Sequence, residues 1–272
     1  MFGEQAEDIG HRMRIATWNV NSLKARLPRV EEFLGYADVD VLCLQETKLA
    51  NKAFPALTFQ EFGYDSVHHG QGQWNGVAIL SRVGIVDATD GFGADFVDPY
   101  EGDARLVAAT CGGVRVVSVY VPNGRAVDTE HYERKLQWLT VLRDWVAQLH
   151  TPDDALAILG DWNVAPADRD VWSPKAFEGS THVTDAERRA LTDLEALGLV
   201  DAFRAVYPDT DGLYSYWDYR AGDFHQHRGM RIDLALTSPP VTERVTWAVV
   251  DRNARKGTQP SDHAPVIFDL RD

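Results

Sequence analysis

A chain of 272 residues, 44% hydrophobic and 25% charged, has the make-up of one large soluble domain. No apolar run approaches the roughly 18 residues of a membrane span, and no charged and apolar leader opens the chain, so no membrane partner and a cytoplasmic location are expected. The net charge of −14 argues against a polyanionic partner only until its distribution is read: Asp87, Asp90, Asp95, Asp98, Glu101 and Asp103 gather on one stretch, read as a solvated face, while positive charge collects at Lys24, Arg26 and Arg29, at Arg220, Arg228 and Arg231, and at Arg252, Arg255 and Lys256. Such basic groups are what phosphate contacts require.

Residues 1–12 are polar and aperiodic and read as a flexible tail before a single domain over 13–272. Met13 to Val20 reads as a strand emptying into Asn19, followed by helical spacing from Ser22 through Leu34, with Pro28 marking a kink or the true helix start. Asp40 to Leu44 is a second strand, delivering Glu46 at its exit, and Gly76 to Leu80 a third. Leu106 to Thr110 and Val114 to Val121 read as a hairpin closed at Gly112-Gly113, ending in Tyr120 and Asn123. A long amphipathic helix spans about Thr129 to Leu149. Ala155 to Leu159 is a buried strand that empties into Gly160-Asp161-Trp162-Asn163, and strand alternation puts Asp161 and Asn163 on one side with Trp162 between them facing away. Thr184 to Leu197 is a second helix, ended by Gly198. Ser215 to Met230 is an aromatic and basic loop. Arg231 to Thr237, Glu243 to Val250 and Ala264 to Leu270 are strands, the last opened by Ser261-Asp262-His263. Cys43 and Cys111 lie in apolar runs and read as core residues, neither disulfide nor metal ligand.

Interleaved strands and helices without a linker make an α/β or α+β class. No Gly-x-Gly-x-x-Gly or phosphate-loop lysine motif is present, which removes the usual nucleotide cofactors. The polar residues at strand exits are Asn19, Glu46, Tyr120, Asp161, Asn163, Asp233, Asp262 and His263. Carboxylates and amides with one histidine and no cysteine suit a hard cation such as Mg²⁺, with Mn²⁺ as a substitute. Each residue also has an ordinary structural use: Asp161 in an Asx turn, Glu46 or the Ser261-Asp262-His263 segment as a cap, Asp233 paired with Arg231, Tyr120 as a strand aromatic.

Taken together and in this order, Trp18-Asn19-Val20-Asn21, Leu44-Gln45-Glu46-Thr47-Lys48, Gly76-Val77-Ala78-Ile79-Leu80, Tyr120-Val121-Pro122-Asn123, Gly160-Asp161-Trp162-Asn163, Trp217-Asp218-Tyr219-Arg220, Arg231-Ile232-Asp233 and Ser261-Asp262-His263 resemble the exonuclease III family of apurinic/apyrimidinic endonucleases, within the endonuclease/exonuclease/phosphatase superfamily. The resemblance runs from about Met13 to the C-terminus. It implies a four-layer α/β sandwich of two face-to-face, mainly antiparallel sheets flanked by helices. It implies a Mg²⁺-dependent repair enzyme acting on double-stranded DNA, 5′ to abasic sites and at 3′ ends, as a monomer.

By the same resemblance Glu46 is the main metal ligand, supported by Asn19 and Asp262. Asp161 acts as base for the attacking water and Asn163 holds water and phosphate in register. His263, oriented by Asp233, and Tyr120 donate to the phosphate. DNA contacts are expected from Asn123, Arg125, Arg26, Tyr216, Trp217, Phe224, Arg228, Met230 and Arg255, with Trp217 and Phe224 walling a damage pocket and Met230 or Arg125 filling the gap left in the duplex. Two departures stand out: Tyr216 where relatives often carry Trp, and Asn21 where some carry Asp. A phosphatase for lipid or inositol phosphates would share the hydrolytic residues and differ in these loops. A silent DNA-binding scaffold would be expected to lose Asp161 or His263, and both are present.

Overall fold

A computed structural model describes residues 12–272. Residues 1–11 of the expected tail lie outside the described residues, and Arg12 belongs to the first strand instead of the tail. In chain order the elements are β1 (Arg12–Asn19), α1 (Leu23–Ala37), β2 (Val41–Gln45), α2 (Ala56–Glu61), β3 (Asp65–His69), β4 (Val77–Ser81), β5 (Val86–Asp90), β6 (Leu106–Cys111) and β7 (Val114–Tyr120). They continue with α3 (Glu130–Leu149), β8 (Leu156–Asp161), α4 (Asp185–Glu195), β9 (Val200–Asp201), α5 (Ala202–Val206), β10 (Asp233–Thr237), α6 (Pro239–Thr242), β11 (Val245–Val250) and β12 (Val266–Arg271).

The strands form two six-stranded sheets, ordered β11-β12-β1-β2-β4-β3 and β5-β6-β7-β8-β10-β9. Each sheet has one parallel pair, β1 with β2 and β7 with β8, among antiparallel neighbours. Strand alternation builds the layers. On β1 and β2, Ile15, Val41 and Cys43 face the other sheet and meet Val107, Val116 and Leu159, while Ala16, Trp18, Leu42 and Leu44 face outward onto Phe33 of α1 and Phe59 of α2. On the far side, Val117, Val119 and Ile158 receive Trp138, Leu139 and Leu142 of α3 and Leu191 and Leu194 of α4. The result is the expected four-layer sandwich, and burial of these four apolar faces is what drives it.

One polar bridge crosses the otherwise apolar interior. Thr17 Oγ1 donates to Gln45 Oε1 at 3.2 Å, and Gln45 Nε2 donates to Ser118 Oγ at 3.1 Å, tying β2 to β7 across the two sheets. All three side chains are fully buried and hydrogen-bonded, so the bridge adds geometric definition without leaving an unpaired polar group.

Several elements differ from their sequence expectations. Helix α1 starts at Leu23 and continues through Pro28. Strands β3, β5 and β9 and the short helices α2, α5 and α6 were not anticipated, because their runs are brief or polar. In β5, Val86-Asp87-Ala88-Thr89-Asp90 is exposed throughout, so the expected acidic face contains an edge strand whose carboxylates discourage pairing with another chain. The final strand β12 lies inside its sheet between β11 and β1, so Ser261-Asp262-His263 does not cap an edge strand. Cys43 and Cys111 are free, buried core residues.

Candidate active site

The two parallel pairs end together. The C-terminal ends of β1, β2, β7 and β8 deliver Asn19, Glu46, Tyr120 and Asp161 to one rim where the sheets meet. The turn after β8 works as an Asx turn and a site at once: Asp161 Oδ1 accepts from the Asn163 backbone N–H at 3.0 Å while its Oδ2 faces the rim. Asn163 takes a left-handed conformation with φ 50°, and Trp162 between the two is fully buried against α3, as alternation requires. Gly160 permits the close passage of β8 beside β7, since a Cβ there would stand 1.9 Å from Val119 O.

Asn19 joins the two halves. Its Nδ2 donates to Glu46 Oε1 at 2.9 Å and to Asp161 Oδ2 at 2.8 Å, and its Oδ1 accepts from the Asn21 backbone at 2.9 Å. In this arrangement the Asn19 amide nitrogen spaces two carboxylates, while its Oδ1 keeps one lone pair beyond the hydrogen bond from Asn21. His263 approaches the same Asp161 oxygen as Asn19. Its Nδ1 is 2.8 Å from Asp233 Oδ2 and its Nε2 is 3.8 Å from Asp161 Oδ2, with the Tyr216 ring 4.9 Å from its own ring. Asp233 serves the histidine, while Arg231 pairs with Asp170 and Asp201. Asn163 Oδ1 accepts from Asn123 Nδ2 at 3.1 Å and its Nδ2 donates to Val121 O at 2.9 Å, which leaves the two amides side by side at the rim.

The electrostatics follow from burial and like charges. Burial, with Asp233 and Glu46 nearby, raises the Asp161 carboxyl to about 7, against the opposing pull of His263. Burial disfavours a charged His263, but Asp233 and Asp161 outweigh it and lift the imidazole to about 10, so it is an imidazolium at neutral pH. For Glu46 burial is likewise overcome, by the charge and hydrogen bond of Lys48, and the carboxyl falls below its ordinary range. Tyr120 is pushed well up by burial and by Glu46 and Asp161, which keeps it a phenol able to donate.

Lys48 was not singled out in the sequence, although it stands within a quoted motif. Its Nζ lies 2.9 Å from Glu46 Oε2 and donates to Asn21 Oδ1 at 2.6 Å, and Asn21 Nδ2 donates to Asp262 Oδ1 at 3.1 Å. The chain Glu46, Lys48, Asn21, Asp262 is therefore a row of oxygens gathered around one positive charge. The Glu46 and Asp262 carboxylates and the Asn19 amide oxygen are donors of the kind a hard divalent cation takes, while Asn21 Oδ1 is held by Lys48 Nζ. The compact cluster Asp161, Asp233 and His263 fits one less well, since Asp233 Oδ2 is already engaged by the imidazole.

Beside these rim residues lies a cavity of ≈470 Å³ whose wall includes Arg125, Trp172, Phe177, His182, Tyr216 and Met230. A second groove of ≈470 Å³ on the opposite side of Asn123 includes Trp74, Arg105 and Tyr120 and shares Arg125. The expected pocket residues need correction. Trp217 is fully buried against Tyr214 and Ala264, with Phe224 packed on it edge-on at 5.2 Å, so both anchor the loop and neither lines the cavity beside the site. Arg255 is also buried, its guanidinium bonded to the Ser261 and Trp217 carbonyls, which removes it from phosphate contact. Arg26 bonds the Asn21 carbonyl and Tyr219 Oη, and Arg228 pairs with Asp223 at 2.6 Å at the cavity wall. Tyr216, Met230, Arg125 and Asn123 do border the cavities.

Trp172, Phe177 and His182 were missed because the segment from Asp168 to Thr184 has no periodicity. The one available signal was an aromatic, two glycine-serine or serine-proline turns and a histidine placed just before a helix cap. His182 Nδ1 sits 2.5 Å from Asn163 O, and burial beside Lys135 lowers its ring to about 4, so it is neutral.

Residues 16–263 match the Endonuclease/Exonuclease/phosphatase family, and the chain belongs to it. Exodeoxyribonuclease III of Haemophilus influenzae is 31% identical over 271 residues, covering 95% of this chain and all of the relative. Among solved structures, the 3′ phosphatase NExo from Neisseria bound to a product DNA hairpin superposes with a TM-score of 0.90 at 39% identity, covering 96% of this chain and 100% of that one. An AP endonuclease from Archaeoglobus fulgidus superposes with a TM-score of 0.90 at 35% identity, covering 96% and 99%. The chain is thus a hydrolytic nuclease of the exonuclease III and AP endonuclease type, a DNA repair nuclease.

Proposed function

We propose that this enzyme hydrolyses phosphate esters of double-stranded DNA, both at 3′ ends and on the 5′ side of abasic sites, with Mg²⁺ or Mn²⁺ as cofactor, as a monomer without a nucleotide cofactor. The observation that carries the reading is the Asn19 amide between Glu46 and Asp161, with the His263 imidazolium near the same Asp161 oxygen. Carboxylates, an amide and a protonated imidazole gathered at one rim support a reading as cation site, base and proton donor for phosphoryl transfer.

Glu46, supported by Asn19 and Asp262, would hold the metal, and the bound ion would neutralise charge on the phosphate. Asp161, raised to about 7 when metal-free, takes the proton of the attacking water. Asn163 and Asn123 offer amide groups to the water and a non-bridging oxygen. His263 donates from Nε2 to a phosphate oxygen while Asp233 holds its Nδ1. Tyr120 donates from its phenol. The cavity between Trp172 and Met230 receives the sugar or terminal nucleotide beside the reacting phosphate.

Two substrates separate the activities: a duplex with one abasic site and a duplex with a recessed 3′-phosphate, each with Mg²⁺ and with chelator. Release of product from either in Mg²⁺ alone supports the reading, and the ratio ranks the two activities. The names of the neighbours support both: the Neisseria structure is a 3′ phosphatase and the Archaeoglobus one an AP endonuclease. Turnover of neither substrate sinks the proposal. Turnover of an inositol phosphate instead would move the enzyme to another branch of its superfamily.

A further inference from the structure

Beneath the two rim amides, helices α3 and α4 place a buried ion pair that the proposed chemistry does not use. Lys135 Nζ and Glu187 Oε1 are 2.5 Å apart and both side chains are fully enclosed. The ammonium also donates to Asn163 O at 2.7 Å, and it reaches Asn123 O and Thr181 Oγ1, each at 3.4 Å. Glu187 Oε1 accepts from Thr181 Oγ1 at 2.7 Å and from His182 N at 2.9 Å, while its Oε2 closes the capping box of α4 with Thr184. Three separate loops, ending in Asn123, Asn163 and His182, therefore meet on one pair of charges. Gly124, with φ 82°, is what lets the lysine pass under the Asn123 loop, because a Cβ there would stand 2.9 Å from Lys135 Cδ.

We propose that Lys135 and Glu187 are positioning residues for the Asn123 and Asn163 amides, setting the reach of both toward the phosphate; this rests on the reading of Asn163 given above. A buried ion pair is a poor source of net stability, since apolar residues of like volume are often as good or better. What apolar residues cannot supply is a cation under two carbonyls. Without it Asn163, held in a left-handed turn, keeps its neighbours but loses the donor that fixes the peptide behind its side chain.

The test compares the full-length enzyme with the double variant Lys135→Met/Glu187→Leu, with Glu187→Gln, and with Asn163→Ala, on the 3′-phosphate duplex in Mg²⁺. The double variant removes both charges together and conserves volume, so it should stay folded, with the lost capping box of α4 lowering its melting temperature modestly. Its kcat should fall about tenfold to 100-fold, as expected for displaced catalytic groups, with KM within about twofold. Glu187→Gln, which keeps the shape, should show a smaller fall with the same split. A folded variant of either kind with wild-type kcat overturns the proposal, as does loss of KM and kcat together with stability. If neither variant folds, the pair belongs to stability alone and the proposal is also overturned. Asn163→Ala keeps the two levels apart: if it falls while the double variant stays at wild type, only this inference fails, and if Asn163→Ala itself is fully active, the reading of the site fails with it.

Discussion

The ammonium of Lys48 lies 2.9 Å from Glu46 Oε2, on the same carboxylate that would hold the metal. A cation near a divalent ion raises the cost of binding it, so the two compete for one charge. Lys48→Met should tighten Mn²⁺, read by its electron spin resonance in the absence of DNA, while Glu46→Gln weakens it by about tenfold or more, the usual scale for metal-site changes. Equal Mn²⁺ affinity in all three proteins places the ion elsewhere.

Asp161→Asn keeps the Asx turn and removes the proposed base. Turnover should drop by about 10² to 10⁴, the range for general-base catalysis, with the DNA dissociation constant little changed. A loss below tenfold would count against the assignment.

His263 and Asp233 share a 2.8 Å contact, so their losses should not add. The double variant His263→Ala/Asp233→Ala should be only slightly slower than His263→Ala alone. Fully additive losses would show two independent roles.

The corrected pocket makes opposite demands on two neighbouring residues. Trp217→Ala empties a fully buried site and should cost about 3 to 5 kcal/mol of stability, lowering all activities together. Trp172→Ala, at an exposed wall of the cavity, should leave the melting temperature near wild type and impair the DNA substrate more than a small activated phosphodiester. Uniform loss in the Trp172 variant would make that residue structural as well.

His68 gives a test of stability against pH. Its ring stacks on Phe54 at 4.3 Å and meets Thr47 Oγ1 at 2.8 Å, and burial lowers its pKa to about 4. Unfolded histidine titrates near about 6.5, so between the two values the unfolded chain binds more protons and folding weakens as pH falls. The stability of wild type relative to His68→Gln, from urea midpoints, should decline from pH 6.5 to 4 and be level above pH 7. A difference independent of pH would mean the ring is not held neutral.

The strands that carry chemistry were legible because each is an apolar run with a polar exit, and a run such as Ile158-Leu159-Gly160-Asp161 declares both its burial and its rim. The polar edge strands were not, since Asp65-Ser66-Val67-His68-His69 owes its conformation to β4 beside it and has little apolar pattern of its own. The same limit governs charge. Arg231 and Arg255 look like phosphate contacts in a basic cluster, but only the fold reveals that Asp170 and Asp201 enclose the first and backbone carbonyls the second. Trp217 and Trp172 show it for aromatics: the loop motif makes a candidate of Trp217 and not of Trp172, and burial shows the first to be the anchor and the second the wall.

The hydrogen bond from Gln45 to Ser118 sits one residue before Glu46 on one sheet and two before Tyr120 on the other. Glu46 and Asn19 belong to the first sheet, Tyr120, Asp161 and Asp233 to the second, so the gap between the sheets is also the gap between the proposed metal ligand and the proposed base. The interior of this enzyme is in that sense its calliper. A change of side-chain volume deep between the sheets, far from any substrate, is read out at the rim as a change in the span that a phosphate must bridge.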